Sequence, residues 1–196
     1  MSELEPTASG GARRPGLLGR MLGALSPGKR GPAVPHVASA HDFAFQSIDG
    51  TPMNLADYRG RAVLLVNTAS QCGFTAQYAG LQHLHATYRD RGLTVIGVPS
   101  NDFGGQEPGS DAEIKAFCRS HFGVDFPMTG KTSVVGPDAH PFYRWAAHEL
   151  GPVARPRWNF HKYLVAPDGT LADWFSTVAG PTSRRVLGGI ERVLPN

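Results

Sequence analysis

The sequence predicts an α/β domain in which a parallel pair of strands joins an antiparallel hairpin. Two short continuous apolar runs, Ala62–Val66 and Leu93–Val98, stand on either side of a stretch with helical spacing. That order is the mark of a strand–helix–strand unit with buried parallel strands. Further on, Phe160–Val165 and Leu171–Phe175 flank Pro167-Asp168-Gly169, the pattern of a hairpin. A closing helical stretch, Ser183–Val193, completes a central mixed sheet flanked by helices.

The elements follow in order from His41. Phe43, Phe45 and Ile48, followed by Asp49-Gly50, predict a strand entering a hairpin turn. Met53, Leu55 and Tyr58 lead to Gly60 and then to the strand over Ala62–Val66, which is β-branched at Val63 and Val66. Tyr78, Leu81, Leu84 and Tyr88 predict a helix from Thr75 to Arg91, with Gly92 as its left-handed cap. The second buried strand stops at Pro99, and a glycine-rich loop runs from Ser100 to Ser110. Ser110 or Asp111 caps the next helix, which carries Ile114, Phe117 and Cys118 and ends at Gly123. Val124–Pro127 is extended and Thr132–Val135 is a short segment of its own. Pro141 opens a helix to Leu150, and its missing N–H has no partner to lose in the first turn.

The chain has 196 residues, 41% of them apolar and 18% charged, which suits one domain with a real core. Its formal charge of +3 resides in residues 1–40, which hold five basic and two acidic residues. The remainder is neutral, so the basic pI of 9.1 is no sign of nucleic-acid binding. No apolar run is long enough to span a membrane. Residues 1–40 are rich in Gly, Pro, Ser, Ala and Arg and read as a disordered basic tail, with the domain occupying 41–196. A targeting segment is the alternative, because Arg13-Arg14 precedes Leu17-Leu18 and Ala38-Ser39-Ala40 fits a small-residue cleavage site. A cytoplasmic protein is expected, with export after cleavage near Ala40 as the other reading.

Two cysteines, Cys72 and Cys118, exclude a disulfide-rich scaffold and a four-thiolate zinc site. The eight histidines form no His-x-x-x-His motif, and His83 and His85 fall on different faces of their helix. Nothing implies a metal or another cofactor, and no phosphate-binding glycine loop follows the first buried strand. Cys72 lies where that strand hands over to a helix. Unpaired N–H groups and the helix dipole favour thiolate there, and thiolate is the nucleophile. Thr75 stands where a Cys-x-x-Cys motif would have its second cysteine, which excludes a dithiol oxidoreductase of that kind.

Three separated segments resemble the glutathione peroxidase family. They are Asn67-Thr-Ala-Ser-Gln-Cys72-Gly-Phe-Thr75, Phe103-Gly-Gly-Gln-Glu-Pro-Gly109 and Trp158-Asn159-Phe160-His-Lys162. The resemblance covers His41 to Asn196 and implies a thioredoxin-like fold and hydroperoxide reduction. It implies that Cys72 attacks the peroxide and becomes a sulfenic acid, with no selenium since cysteine is encoded. It makes Trp158 and Asn159 neutral N–H donors that stabilise the thiolate. Family members usually place glutamine directly before the Phe of the second segment, where this chain has Asp102. A carboxylate near Cys72 would disfavour its thiolate, so Asp102 is expected to be protonated, turned away or held by a donor, and Gln106 is a possible substitute. The segment around Cys118 resembles the helix bearing the resolving cysteine of thioredoxin-dependent members. That implies an internal Cys72–Cys118 disulfide, closed by local movement and recycled by thioredoxin. Glutathione is the alternative reductant, although no arginine cluster surrounds Cys72. A monomer is expected. A peroxide sensor passing oxidation to a partner would use the same residues.

Overall fold

The computed structural model describes residues 39–195. Its elements are β1 (Ala44–Gln46), β2 (Pro52–Asn54), β3 (Ala62–Thr68), α1 (Gln77–Tyr88), β4 (Leu93–Pro99), α2 (Asp111–Phe122), α3 (Pro141–Glu149), β5 (Lys162–Val165), β6 (Leu171–Phe175) and α4 (Arg184–Glu191). The central sheet has the order β4-β3-β5-β6; β3 and β4 are parallel, and β5 and β6 run antiparallel to their neighbours. β1 and β2 form a separate antiparallel pair.

Every residue of β3 and β4 is buried, because helices or loops cover both faces of the sheet. The strand period of two divides the core accordingly. Ala62, Leu64, Val66 and Leu164 face α1, α2 and α4, in one cluster with Tyr78, Leu81, Ile114, Cys118 and Ile190. Val63, Leu65, Tyr163 and Val165 face α3 and β1, against Phe142, Trp145, Phe43 and Phe45. Gly92 and Gly123 take positive φ (92° and 61°) and end their helical segments in the left-handed conformation expected of them. The capping box at α2 is complete: Ser110 Oγ accepts from the Glu113 N–H, and the Glu113 carboxylate accepts from the Ser110 N–H.

Two expectations change, and one segment whose type the sequence leaves open is defined. Regular α1 begins at Gln77 rather than Thr75. Ahead of it, from Cys72 onward, the chain winds through bonds three residues apart, Thr75 N–H to the Cys72 carbonyl and Gln77 N–H to the Phe74 carbonyl. Thr132–Val135 is neither helix nor strand, because its amides bond elsewhere. Finally, Ser39 and Ala40, read from sequence as the end of the tail, pack with the fold: Ala40 is in the core and its N–H donates to the Gly169 carbonyl (2.8 Å). Cleavage after Ala40 would remove that core residue. The rest of the proposed tail lies outside the described residues. Among those described, no helix is long and apolar enough to cross a membrane.

Candidate active site

The site grows from the C-terminal end of β3, the usual place for chemistry in a parallel sheet. Cys72 is half-buried in the loop that follows. Its sulfur accepts a hydrogen bond from the Phe74 N–H (3.4 Å), so a backbone amide does face the thiol, supplied by the turn and not by α1 itself. Thr75 fixes the loop: its Oγ1 accepts from the Cys72 N–H (3.0 Å) and donates to the Ala69 carbonyl (3.0 Å).

Gln106 links this loop to the segment before β5. Its carbonyl accepts from the Gln71 N–H (3.0 Å), and its side-chain oxygen accepts from Asn159 Nδ2 (2.9 Å). Asn159 is buried, whereas the Trp158 indole is 39% exposed and lies 5.9 Å from the Phe103 ring, centroid to centroid. The carbonyls of Trp158 and Asn159 are held by Asn67 Nδ2 (3.1 Å) and Thr177 Oγ1 (2.7 Å). Phe160 is the one non-glycine residue with positive φ (64°) among those described, and its N–H donates to the Asn67 carbonyl at 2.6 Å. Backbone strain of this kind persists where surrounding contacts over-determine it.

Asp102 is occupied elsewhere. Its carboxylate accepts from the Val134 N–H (2.6 Å), the Val135 N–H (3.1 Å) and Ser133 Oγ (3.1 Å). The carboxylate that sequence places among the catalytic candidates instead anchors the 133–135 loop, and it is Gln106 that bonds Asn159. The spacing of the second segment gives no sign of that bond, because Gln106 lies four residues beyond Asp102.

Cys118 faces the core from α2, fully buried in the cluster on which Cys72 packs. Burial pushes its thiol from 9.0 to about 11, which favours the protonated thiol over the thiolate. Glu107, which follows Gln106, is also buried, at 1% exposure, and burial raises its carboxyl above the usual range. Ser70 lies beside it and offsets part of that, although neither carboxylate oxygen makes a hydrogen bond of proper geometry. Glu107 lines a cavity of about 440 Å³ between the Cys72 loop (Ser70, Gln71) and α2 (Ile114, Phe117). Behind the site, burial brings the Lys162 ammonium down to about 7. Glu107 and Lys162 are absent from the sequence-based candidates; a lysine inside the apolar run Phe160–Val165 was the available signal for the second.

The glutathione peroxidase family model matches residues 40–147. A Synechocystis protein named hydroperoxy fatty acid reductase is 43% identical over 162 residues, covering 79% of this chain and 95% of its own length. The crystal structure described as Trgpx in apo form superposes with a TM-score of 0.63 at 30% identity, over 81% of this chain and 99% of that one. A thioredoxin-family thiol:disulfide interchange protein from Chlorobium tepidum aligns at 16% identity with a TM-score of 0.58, over 78% and 93% of the two chains, a likeness of fold alone. With a thioredoxin-like sheet and all three of its sequence signatures gathered at one end of β3, the chain belongs to the glutathione peroxidase family.

Proposed function

We propose that the chain reduces hydroperoxides through Cys72, with Trp158 and Asn159 as N–H donors to the reacting sulfur and oxygen and Cys118 as the resolving thiol. The Cys72 thiolate attacks the distal peroxide oxygen, the O–O bond breaks, and the other oxygen takes a proton and leaves as water or an alcohol. Cys72 is then a sulfenic acid. The Cys118 sulfur attacks it, hydroxide leaves with a proton as water, and a Cys72–Cys118 disulfide results. A dithiol protein such as thioredoxin opens that disulfide by exchange.

The observation that carries this reading is Gln106, whose two bonds tie the Cys72 loop to Asn159. Supporting it, Asn159 and Trp158 hang from carbonyls held by buried side chains, so the donors are set before substrate arrives. Phe74, Trp158 and Val178 are large exposed apolar groups on the segments that build the site. They suit apolar organic hydroperoxides; the Synechocystis relative is named for hydroperoxy fatty acids. The burial of Cys118 explains the order of events: α2 or its flanking loop shifts before the sulfurs meet. Relief from burial then returns the thiol toward 9.0, about 100-fold more thiolate. Thioredoxin as the reductant, a monomeric state and a reducing compartment such as the cytoplasm belong to the same proposal.

The test is peroxide-driven NADPH oxidation through thioredoxin and its reductase. Wild type turns over, Cys72→Ser is inactive, and Cys118→Ser oxidises once and stalls. Normal turnover of Cys118→Ser would remove the resolving role. Turnover with glutathione and not thioredoxin would replace the reductant, and a stable mixed disulfide with one partner in place of turnover would indicate a sensor.

A further inference from the structure

Lys162 occupies a place where a cation is costly. It lies inside β5, paired in register with Val66 of β3 and Phe175 of β6, and its side chain is fully buried on the α1 face of the sheet. Among the described residues no carboxylate lies within ion-pair distance of its Nζ. An apolar side chain of similar length would fill the same volume without desolvating an ammonium.

What the ammonium does hold is specific. Nζ donates to the Phe160 carbonyl (2.7 Å) and to Gln77 Oε1 (2.9 Å). Gln77 Nε2 in turn donates to the Thr177 carbonyl (2.7 Å), and Thr177 Oγ1 donates to the Asn159 carbonyl (2.7 Å). The three consecutive carbonyls of Trp158, Asn159 and Phe160 are therefore each gripped by a different buried side chain: Asn67, Thr177 and Lys162. Lys162 holds one directly and braces another through Gln77. The left-handed Phe160 lies within this grip, at the turn that sets the direction of the two residues before it.

We propose that Lys162 is a positioning residue for peroxide reduction, its ammonium locking the Trp158–Phe160 turn so that the indole and amide N–H groups stay aimed at Cys72. The proposal rests on the reading that Trp158 and Asn159 serve Cys72. It gives the buried cation a cost in stability and a gain in rate, so removing it should move the two in opposite directions. A purely structural lysine would lose both together.

The experiment compares wild type, Lys162→Met, Asn159→Ala and the double variant in the full chain. It measures the second-order rate of Cys72 oxidation by hydrogen peroxide in single turnover, together with the urea midpoint of the reduced protein. Lys162→Met is expected to keep or raise the midpoint while oxidation slows about 10- to 100-fold, the usual scale for a displaced catalytic group. The double variant should lose less on top of Asn159→Ala than Lys162→Met loses from wild type, since the amide's share of the device is already gone and only the indole's remains. Lys162→Gln, a neutral donor, should recover part of the rate; it also serves if the Met variant does not fold. Oxidation within about 2-fold of wild type, a rate and midpoint that fall together, or fully additive losses would each overturn the proposal. If Asn159→Ala and Trp158→Phe both leave oxidation unchanged, the donor reading itself fails, and that outcome is independent of Lys162.

Discussion

Removing one hydroxyl from the start of α2 should make the second half of the catalytic cycle faster. Ser110 Oγ caps the helix that carries Cys118, which is fully buried; in the proposed cycle that helix or its flank moves before the sulfurs meet. Ser110→Ala deletes the side-chain cap but leaves the residue's N–H bonded to Glu113, so a loss of about 1 kcal/mol is expected. Spent on the closed state alone, 1 kcal/mol raises the open population about 5-fold. Stopped-flow tryptophan fluorescence with one equivalent of peroxide separates the steps. The fast phase, second-order in peroxide, is Cys72 oxidation and should not change. The slower phase, independent of peroxide, is disulfide formation and should quicken by up to about 5-fold. Ser110→Asp, which retains a cap, should behave as wild type. A slow phase that is unchanged or slower in Ser110→Ala would refute the argument, because closure of the disulfide would then not depend on opening of α2.

Other outcomes follow from contacts already described. Asp102→Asn should leave the rate of Cys72 oxidation within about 2-fold and lower stability by about 1–2 kcal/mol, since a neutral amide oxygen accepts the Val134 and Val135 N–H groups more weakly than the one carboxylate oxygen that takes both; a drop in rate beyond 10-fold would return the carboxylate to the reaction. Burial between Tyr163 and Trp174 brings His161 down to about 3, so the unfolded chain binds its proton first and stability falls as pH drops from 6.5 toward 3. Unfolding free energies from urea titrations at pH 7 and 4.5 should differ for this reason by up to about 2.7 kcal/mol, and His161→Phe should narrow the gap; an unaltered gap would exclude this imidazole as its source. A Cβ on Gly189 would lie 2.6 Å from Phe175 Cζ, so Gly189→Ala should destabilise the packing of α4 on β6 by about 1–3 kcal/mol in urea unfolding, without altering the oxidation rate.

Much of the frame could be read from the chain because its signals are local. The continuous apolar runs of β3 and β4 follow from burial on both faces, and Ser110, Gly92 and Gly123 punctuate helices by rules that need no neighbours. The site is less legible because distant residues complete it. Nothing near Asp102 tells that its carboxylate will cap amides about thirty residues away, and nothing near Gln106 tells that it will meet Asn159. Apolar spacing alone puts the start of α1 at Thr75, but the Thr75 hydroxyl is engaged with Cys72 and Ala69 and the regular helix begins at Gln77. Phe160 in a left-handed conformation runs against its type, and only the side chains of Asn67, Thr177 and Lys162, brought from three other places, explain it.

If Cys118 resolves Cys72 as proposed, the depth at which it is stored also sets how much oxidant the protein tolerates. While α2 stays shut, the sulfenic acid on Cys72 waits, and a second peroxide competes with the resolving thiol for it. The contest is between a first-order opening and a second-order collision, so the two cross at one peroxide concentration, the ratio of their rate constants. Below it nearly every cycle closes as a disulfide; above it Cys72 passes to sulfinic acid, which thiols do not reverse. On that proposal the core cluster that Cys118 shares with Ile114, Phe126 and Met128 acts as a fuse rating, and each change that tightens α2 lowers the dose at which the enzyme burns out.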